Sequence, residues 1–299
     1  MGSLIGGMLA RGGKDVVLLD VDQAHLDAVN ADGLTMELGE DTQNIRIPAI
    51  KPSELKSPVD LMIVLTKTFH TEAALNDAKG GIGPDTQVLS IQNGLGNGER
   101  VAAVVPMERV FIGMNLYPAT KLGPGKITSH GRGNIMLWSA DGEDRPAAKA
   151  IAAELDSGGV ACEADADAIK AIWEKICFNT GMNPVAALTR STVGQMGDHG
   201  HDLVMSIVTE SCAIARAAGY AVDEDSVKST VKMAFREHRG HKSSMFQDMS
   251  AGRRTEIDAI NGGIADVADR LGIPAPINRT MARLVRLAEE SDAAARESA

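Results

Sequence analysis

Hydrophobic and polar positions divide the chain into two textures. Through about residue 165, short apolar runs alternate with helical stretches. "GSLIGGMLA" reads as a helix, "VVLLD" (Val16 to Asp20) as a strand, and Gln23 to Asn30 as a polar helix. "DLMIVLTK" (Asp60 to Lys67) and "TQVLSIQNG" (Thr86 to Gly94) carry few polar residues until they end, the mark of strands buried on both faces of a parallel sheet. From "VFIGMNLYPAT" through "KITSHGRGNIMLWSA", strands follow one another with Gly-rich turns, which predicts an antiparallel extension of that sheet. A helix from about Pro146 to Leu155 and the run "GGVACEAD" close this part.

Beyond Asp165 the periods are helical throughout. Ile169, Ile172, Trp173 and Ile176 form an apolar stripe, and further helices are expected around Leu203 to Ala218, Val227 to Arg236, Arg254 to Leu271 and Ile277 to Ala288. The Ala/Glu-rich tail after Glu289 reads as a fraying end. The expected fold is α/β, a doubly wound parallel sheet over residues 1–165, followed by an all-helical second domain over residues 166–299.

Composition narrows the function classes. No apolar run among the 299 residues approaches a membrane span, and the opening lacks the basic region and cleavage site of a signal peptide. The expectation is a soluble, unexported, cytoplasmic protein. "MGSLIG" places Gly6 where a myristoylation signal needs Ser or Thr. Cys162, Cys177 and Cys212 are an odd count without a C-x-x-C pair, which fits small core residues in a reducing compartment rather than a disulfide framework or zinc site. A net charge of −10 and the lack of a basic stripe interleaved with aromatics argue against nucleic acid, while a small anion could bind at a local positive spot. The seven histidines show no metal-ligand spacing, so no metal is expected.

The opening "MGSLIGGMLARGGKDVVLLD" looks like the second half of a dinucleotide-binding βαβ unit. In a G-x-G-x-x-G turn the first glycines let the backbone approach pyrophosphate and the third lets the helix pack on its strand. Only the last of the three can be present, as Gly2, with Ser3 beside it; alone, an ordinary helix N-terminus explains it as well. Asp20 ends the next strand, where a carboxylate can accept from the ribose hydroxyls of NAD and repel a 2′-phosphate. Helix capping is its competing role, and Asp22 competes for both. Lys67 and Asn93 lie at strand ends on the carboxyl edge, where ligands of open α/β sheets bind; each alone is an ordinary strand-end lysine or turn.

The most informative stretch is helical. Lys175, Asn179 and Asn183 fall at i, i+4 and i+8 beside the apolar stripe, one face of a helix if it survives Gly181 and Pro184. Asn is a poor choice for a merely solvated helix face, so the spacing points to a ligand. "HKSSMFQDMSAGRRTEIDAINGG" adds Ser243, Ser244, Asp248 and Glu256, for which helix capping, with Glu256 in a first turn, is the ordinary explanation.

"WEKICFNTGMNP" with "SSMFQDMSAGRRTEIDAINGG", together with "VLTK", "IQNGLG" and "LGIPAPIN", resembles the ketopantoate reductase (2-dehydropantoate 2-reductase) family over essentially the whole chain. The resemblance implies a Rossmann-type dinucleotide-binding domain joined to a helical substrate and catalytic domain. It also implies hydride transfer from NADPH or NADH to a 2-oxo acid, giving D-pantoate in pantothenate and coenzyme A synthesis. Lys175 matches the family's catalytic lysine and Glu256 the acid that assists it; Asn93, Asn179, Asn183 and Ser244 match positions that bind substrate or organise the site. Gly2, Ser3, Asp20, Lys67 and Asn93 are the corresponding cofactor contacts. A desolvated lysine in such a site has its pKa lowered, while Glu256 nearby pushes it back up.

Two departures from the family stand out. Members begin with a strand and the full glycine turn, and the expectation is that the natural product extends upstream of Met1. NADPH users tend to carry a basic residue near the strand end where this chain has "LLDVDQ", which points to NADH. The alternatives are a relative that reduces another small 2-oxo acid and a non-catalytic dinucleotide-binding protein. A homodimer is compatible with such a fold.

Overall fold

The computed structural model describes residues 1–130 and 133–297. By its internal contacts the chain forms two compact units, one of Met1–Gln92 with Asn97–Ile169, the other of Asn93–Gly96 with the residues from Lys170 onward.

The first unit is built, in chain order, from α1 (Gly2–Arg11), β1 (Leu18–Leu19), α2 (Gln23–Asp32), β2 (Leu34–Leu38), β3 (Asp41–Ile45), β4 (Ala49–Ile50), β5 (Leu61–Val64), α3 (Thr71–Asp77), β6 (Gln87–Ser90), α4 (Asn97–Ala102), β7 (Val110–Asn115), β8 (Thr120–Gly123), β9 (Lys126–Ser129), β10 (Ile135–Ser139), α5 (Pro146–Ser157) and β11 (Cys162–Ala164). Its main sheet has the order β11-β10-β7-β6-β5. The parallel core runs from Leu61 opposite Gln87 to Val88 opposite Val110. Both faces are covered, as the apolar runs predict. Met62 and Val64 pack with Leu75, Val88 and Val101 on one side, and Leu61 and Ile63 face a cluster of Leu4, Leu18, Phe111 and Leu155 on the other.

Three details differ from the sequence pattern. β1 is two residues long rather than five, because β4 is its only strand partner among the described residues. Residues 34–45 form an unanticipated hairpin, β2 with β3, whose second strand is mostly polar and shows no apolar alternation. The Gly-rich segment is therefore not one extension: β10 pairs antiparallel with β7, but β9 pairs with β2 in a separate sheet of order β3-β2-β9-β8. The turn expected from the sequence at 131–132 falls outside the described residues.

The second unit is helical: α6 (Asp167–Thr189), α7 (Val193–His199), α8 (His201–Ala217), α9 (Glu224–Glu237), α10 (Ser244–Ser250), α11 (Asn261–Leu271) and α12 (Pro276–Glu297). α6 runs unbroken through Gly181, where a Cβ would lie 2.8 Å from Val208 Cγ2 and 3.0 Å from the Val204 carbonyl oxygen, so a glycine lets α6 meet α8. Their interface is polar at its centre. Thr180 Oγ1 and Ser211 Oγ are 2.8 Å apart, Asn278 Nδ2 donates to Ser211 Oγ at 3.0 Å, and Glu210 accepts the backbone N–H groups of Ile277 and Asn278 at the start of α12. A carboxylate suits that end of a helix dipole.

The helix expected from Arg254 begins only at Asn261, with residues 254–260 forming a turn. The tail expected to fray after Glu289 instead continues α12 to Glu297; Ala293 to Ala295 are strong helix formers, and Asp292 pairs with Arg190 at 3.7 Å. Among the described residues no helix is long and apolar enough to cross a membrane. Cys177 and Cys212 are fully buried, and Cys162 is half-buried.

Candidate active site

In the helical unit, α6 carries Lys175, Asn179 and Asn183 one turn apart along one side. Asn183 is only 5% exposed, which is incompatible with a solvated face. Burial pushes the Lys175 ammonium down to about 8, and the charge of Glu256 pulls in the opposite direction. Desolvation wins.

Glu256 is itself buried and sits in the turn before α11, not in a helical first turn as its capping explanation required. Its own carbonyl accepts from the Ala259 and Ile260 amides. The turn is clamped on both sides of Glu256: Thr255 N–H donates to Glu289 of α12 at 2.6 Å, and Asp258 pairs with Arg286 at 2.6 Å and Arg254 at 3.0 Å. These anchors fix the backbone that presents the carboxylate.

Asn93 joins the same unit through residues 93–96. Leu95 N–H donates to the Ala259 carbonyl at 2.8 Å, so the segment is stitched to the turn that holds Glu256. Gly94 has φ +89°, and a Cβ there would meet that of Ala259 at 2.5 Å. Only glycine satisfies both demands. Sequence reasoning grouped Asn93 with Lys67 on a sheet edge; Lys67 follows β5 in the first unit, where it begins the 3-10 turn Thr68–His70.

α10 contributes less directly. Ser243 is the N-cap, its Oγ accepting from Phe246 N–H at 3.2 Å, which leaves Ser244 as the exposed first residue of the helix. Asp248, buried, accepts from Arg253 Nε at 3.0 Å, a structural use that the sequence did not separate from a ligand role. Met245 and Met249 pack with Ala187 and Leu188 of α6 and with Ile257 and Ile260, placing α10 beside the Glu256 turn.

In the first unit, α1 starts at Gly2 without any side-chain cap from Met1, and nothing lies within 4 Å of a Cβ built on Gly2. Ser3 Oγ is 3.0 Å from His25 Nε2. Between Asp20 and Asp22, the capping role falls to Asp22. Asp22 caps α2 by accepting from His25 N–H at 3.2 Å and pairs with Lys121 at 2.6 Å. Asp20 is not a cap; its Oδ1 accepts from the Val21 and Asp22 amides at 2.7 and 3.0 Å. Lys121, which sequence reasoning missed, lies 99 positions from Asp22 and carries no motif.

The description "Ketopantoate reductase PanE/ApbA" matches residues 1–142, and its C-terminal counterpart matches residues 167–289. The chain belongs to the ketopantoate reductase family. As a member of it, the chain is an NAD(P)-dependent reductase. It is 31% identical over 292 residues to 2-dehydropantoate 2-reductase of Streptococcus pyogenes serotype M1, covering 97% of this chain and 95% of that protein. For the 2-dehydropantoate 2-reductase of Halobacterium salinarum the identity is 32%, covering 97% and 96%. Among solved structures, the ternary complex of D-mandelate dehydrogenase with NADH and anilino(oxo)acetate superposes with a TM-score of 0.93 at 30% identity, covering 98% of this chain and 96% of that one. The structure of 2-dehydropantoate 2-reductase from Geobacter metallireducens GS-15 gives 0.87 at 29% identity, covering 95% of each chain.

Proposed function

We propose that the protein reduces a small 2-oxo acid to the 2-hydroxy acid, with 2-dehydropantoate as substrate and D-pantoate as product, a step of pantothenate and coenzyme A biosynthesis. The observation that carries this reading is the Lys175 ammonium, desolvated to about 8 and opposed by the buried Glu256 carboxylate, on the helix that also bears Asn179 and Asn183. As the carbonyl carbon is reduced, negative charge grows on its oxygen. Lys175 stabilises that charge by hydrogen bonding and then donates its proton, while Glu256 keeps the lysine charged at the working pH. The amides of Asn93, Asn179 and Asn183 offer both donors and acceptors for the substrate's hydroxyl and carboxylate, and Ser244 adds a hydroxyl at the start of α10.

The residues of the first unit fit a nicotinamide dinucleotide. α1 opens with the amides of Gly2 and Ser3 ahead of its first backbone bond, from Leu4 N–H to the Met1 carbonyl at 2.9 Å; the space above Gly2 is open, Ser3 adds a hydroxyl, and Asp20 directs its Oδ1 to the backbone while its second oxygen suits a ribose hydroxyl. When bound, the reduced cofactor supplies the hydride. Gly2 and Ser3 would hold its phosphates and Asp20 its ribose, with Lys67 as a further contact. Asp22 is neutralised by Lys121, so the preference for NADH rests on Asp20. Cysteines without disulfide partners support a cytoplasmic location, and a homodimer is compatible with this reading.

The similarity to D-mandelate dehydrogenase supports a second reading, reduction of a bulkier aryl 2-oxo acid. A non-catalytic dinucleotide-binding role has no use for the clamped Glu256 turn. The deciding experiment follows oxidation of NADH and of NADPH by the purified protein with 2-dehydropantoate and with phenyl(oxo)acetate. Turnover with 2-dehydropantoate supports the first reading, turnover with the aryl acid alone the second, and none with either substrate removes both.

A further inference from the structure

The first unit holds a buried imidazole to which the chemistry above gives no part. His25 of α2 is 3% exposed. Its Nδ1 lies 3.0 Å from the backbone nitrogen of Gly125, in the β8–β9 turn, and its Nε2 lies 3.0 Å from Ser3 Oγ. Gly125 is fixed in its turn, since its carbonyl accepts from Thr35 N–H at 2.8 Å. A backbone N–H can only donate, so Nδ1 must present its lone pair, and a neutral ring then carries its one hydrogen on Nε2. Burial favours that neutral ring, outweighing the nearby charges of Asp20 and Asp22 that would raise its pKa; Lys121 acts with burial. The Nε2–H therefore donates to Ser3 Oγ and engages the hydroxyl as an acceptor. What remains is its hydrogen. Ser3 lies in the first turn of α1, where orphan N–H groups and the positive end of the helix dipole already favour an anion.

We propose that His25 is a positioning residue that turns the Ser3 hydroxyl into a dedicated donor to a phosphate oxygen of the dinucleotide. The inference rests on the cofactor reading given under Proposed function. A free serine hydroxyl can rotate and either donate or accept; one that already accepts from a rigidly held imidazole spends its hydrogen on the ligand. The backbone of Gly125, one hundred positions away from His25, thereby sets the direction of a hydrogen bond at the start of α1.

The test measures dissociation constants for NADH by calorimetry on the full chain and on Ser3→Ala, His25→Asn and the double variant. Asparagine can still accept from Gly125 N–H but cannot reach Ser3. Each single change is expected to weaken NADH binding by about 3- to 10-fold, with the double variant no weaker than either single one. Losses that multiply in the double variant, or unchanged affinity in His25→Asn, overturn the inference. Side-chain ¹⁵N NMR on the unmodified protein supplies a readout that needs no variant: the Nε2–H tautomer is expected, and an Nδ1–H tautomer overturns it. If the unmodified protein binds neither NADH nor NADPH, the cofactor reading itself fails, an outcome distinct from normal binding that His25→Asn leaves untouched.

Discussion

The side-chain amide of Asn261 donates to the carbonyl of Thr180 at 3.0 Å, four residues before Pro184 on α6. In an uninterrupted helix that carbonyl would accept from residue 184, but proline has no N–H to give. Asn261 thus completes the ladder between Asn179 and Asn183, and the same Nδ2 donates to Asn278 Oδ1 at 3.0 Å. Replacing Asn261 with Leu takes the side-chain donor from the buried Thr180 carbonyl and one of two donors from Asn278 Oδ1, which Ser211 Oγ also reaches at 3.2 Å, and is expected to cost about 1–3 kcal/mol in urea denaturation. Adding Pro184→Ala returns an N–H to Thr180 and should recover part of that loss.

In the proposed reaction the protonated form of Lys175 is the proton donor, and its pKa is lowered to about 8. Oxo-acid reduction should therefore be level at lower pH and decline as pH rises through about 8, where the ammonium is lost. Glu256 raises this pKa, so Glu256→Gln should move the decline to lower pH. Lys175→Ala should reduce kcat by roughly 10³-fold with normal thermal unfolding. A pH–rate profile of kcat/KM for the three proteins checks all of this.

Gly94 combines φ +89° with contact against Ala259. Gly94→Ala should strain the segment by about 1–2 kcal/mol and push it off the turn, taking Asn93 with it. The expected signature is a raised KM for the oxo acid, with the KM for the cofactor unchanged, in steady-state kinetics.

Under the proposed reading, NADH is preferred and the preference follows from the charge balance near Asp20. Asp20→Asn should narrow the NADH preference by about 10-fold, the equivalent of ~1.4 kcal/mol. Lys121→Ala works the other way: it releases the Asp22 charge, adds a second uncompensated carboxylate, and should strengthen discrimination against the 2′-phosphate. The ratio of kcat/KM for NADH and NADPH reads both.

What could be seen in the sequence was local and periodic. β5 and β6 announce themselves because burial on both faces keeps polar residues to their ends, and Lys175, Asn179 and Asn183 align because one helix carries them. The hairpin at 34–45 escaped notice because β3 is a mostly polar strand without apolar alternation. The pairing of Lys121 with Asp22 and the docking of Leu95 on Ala259 join residues 99 and 164 positions apart, and no window of sequence shows either. The turn carrying Glu256 looked helical because Ile257 and Ile260 keep a helical spacing, yet they spend it on packing against α10 and α12.

The four residues Asn93–Gly96 also bear on how this architecture can be inherited. The chain passes between the two units three times, after Gln92, after Gly96 and after Ile169. A crossover that exchanged everything beyond residue 169 between two related genes would pair one parent's Ala259 turn with the other parent's Gly94 segment. Chimaeras of that kind should keep two folded halves while losing substrate affinity, and moving residues 93–96 together with the helical half should restore it. The helical half is thus a discontinuous heritable module, and its two pieces are expected to evolve as one.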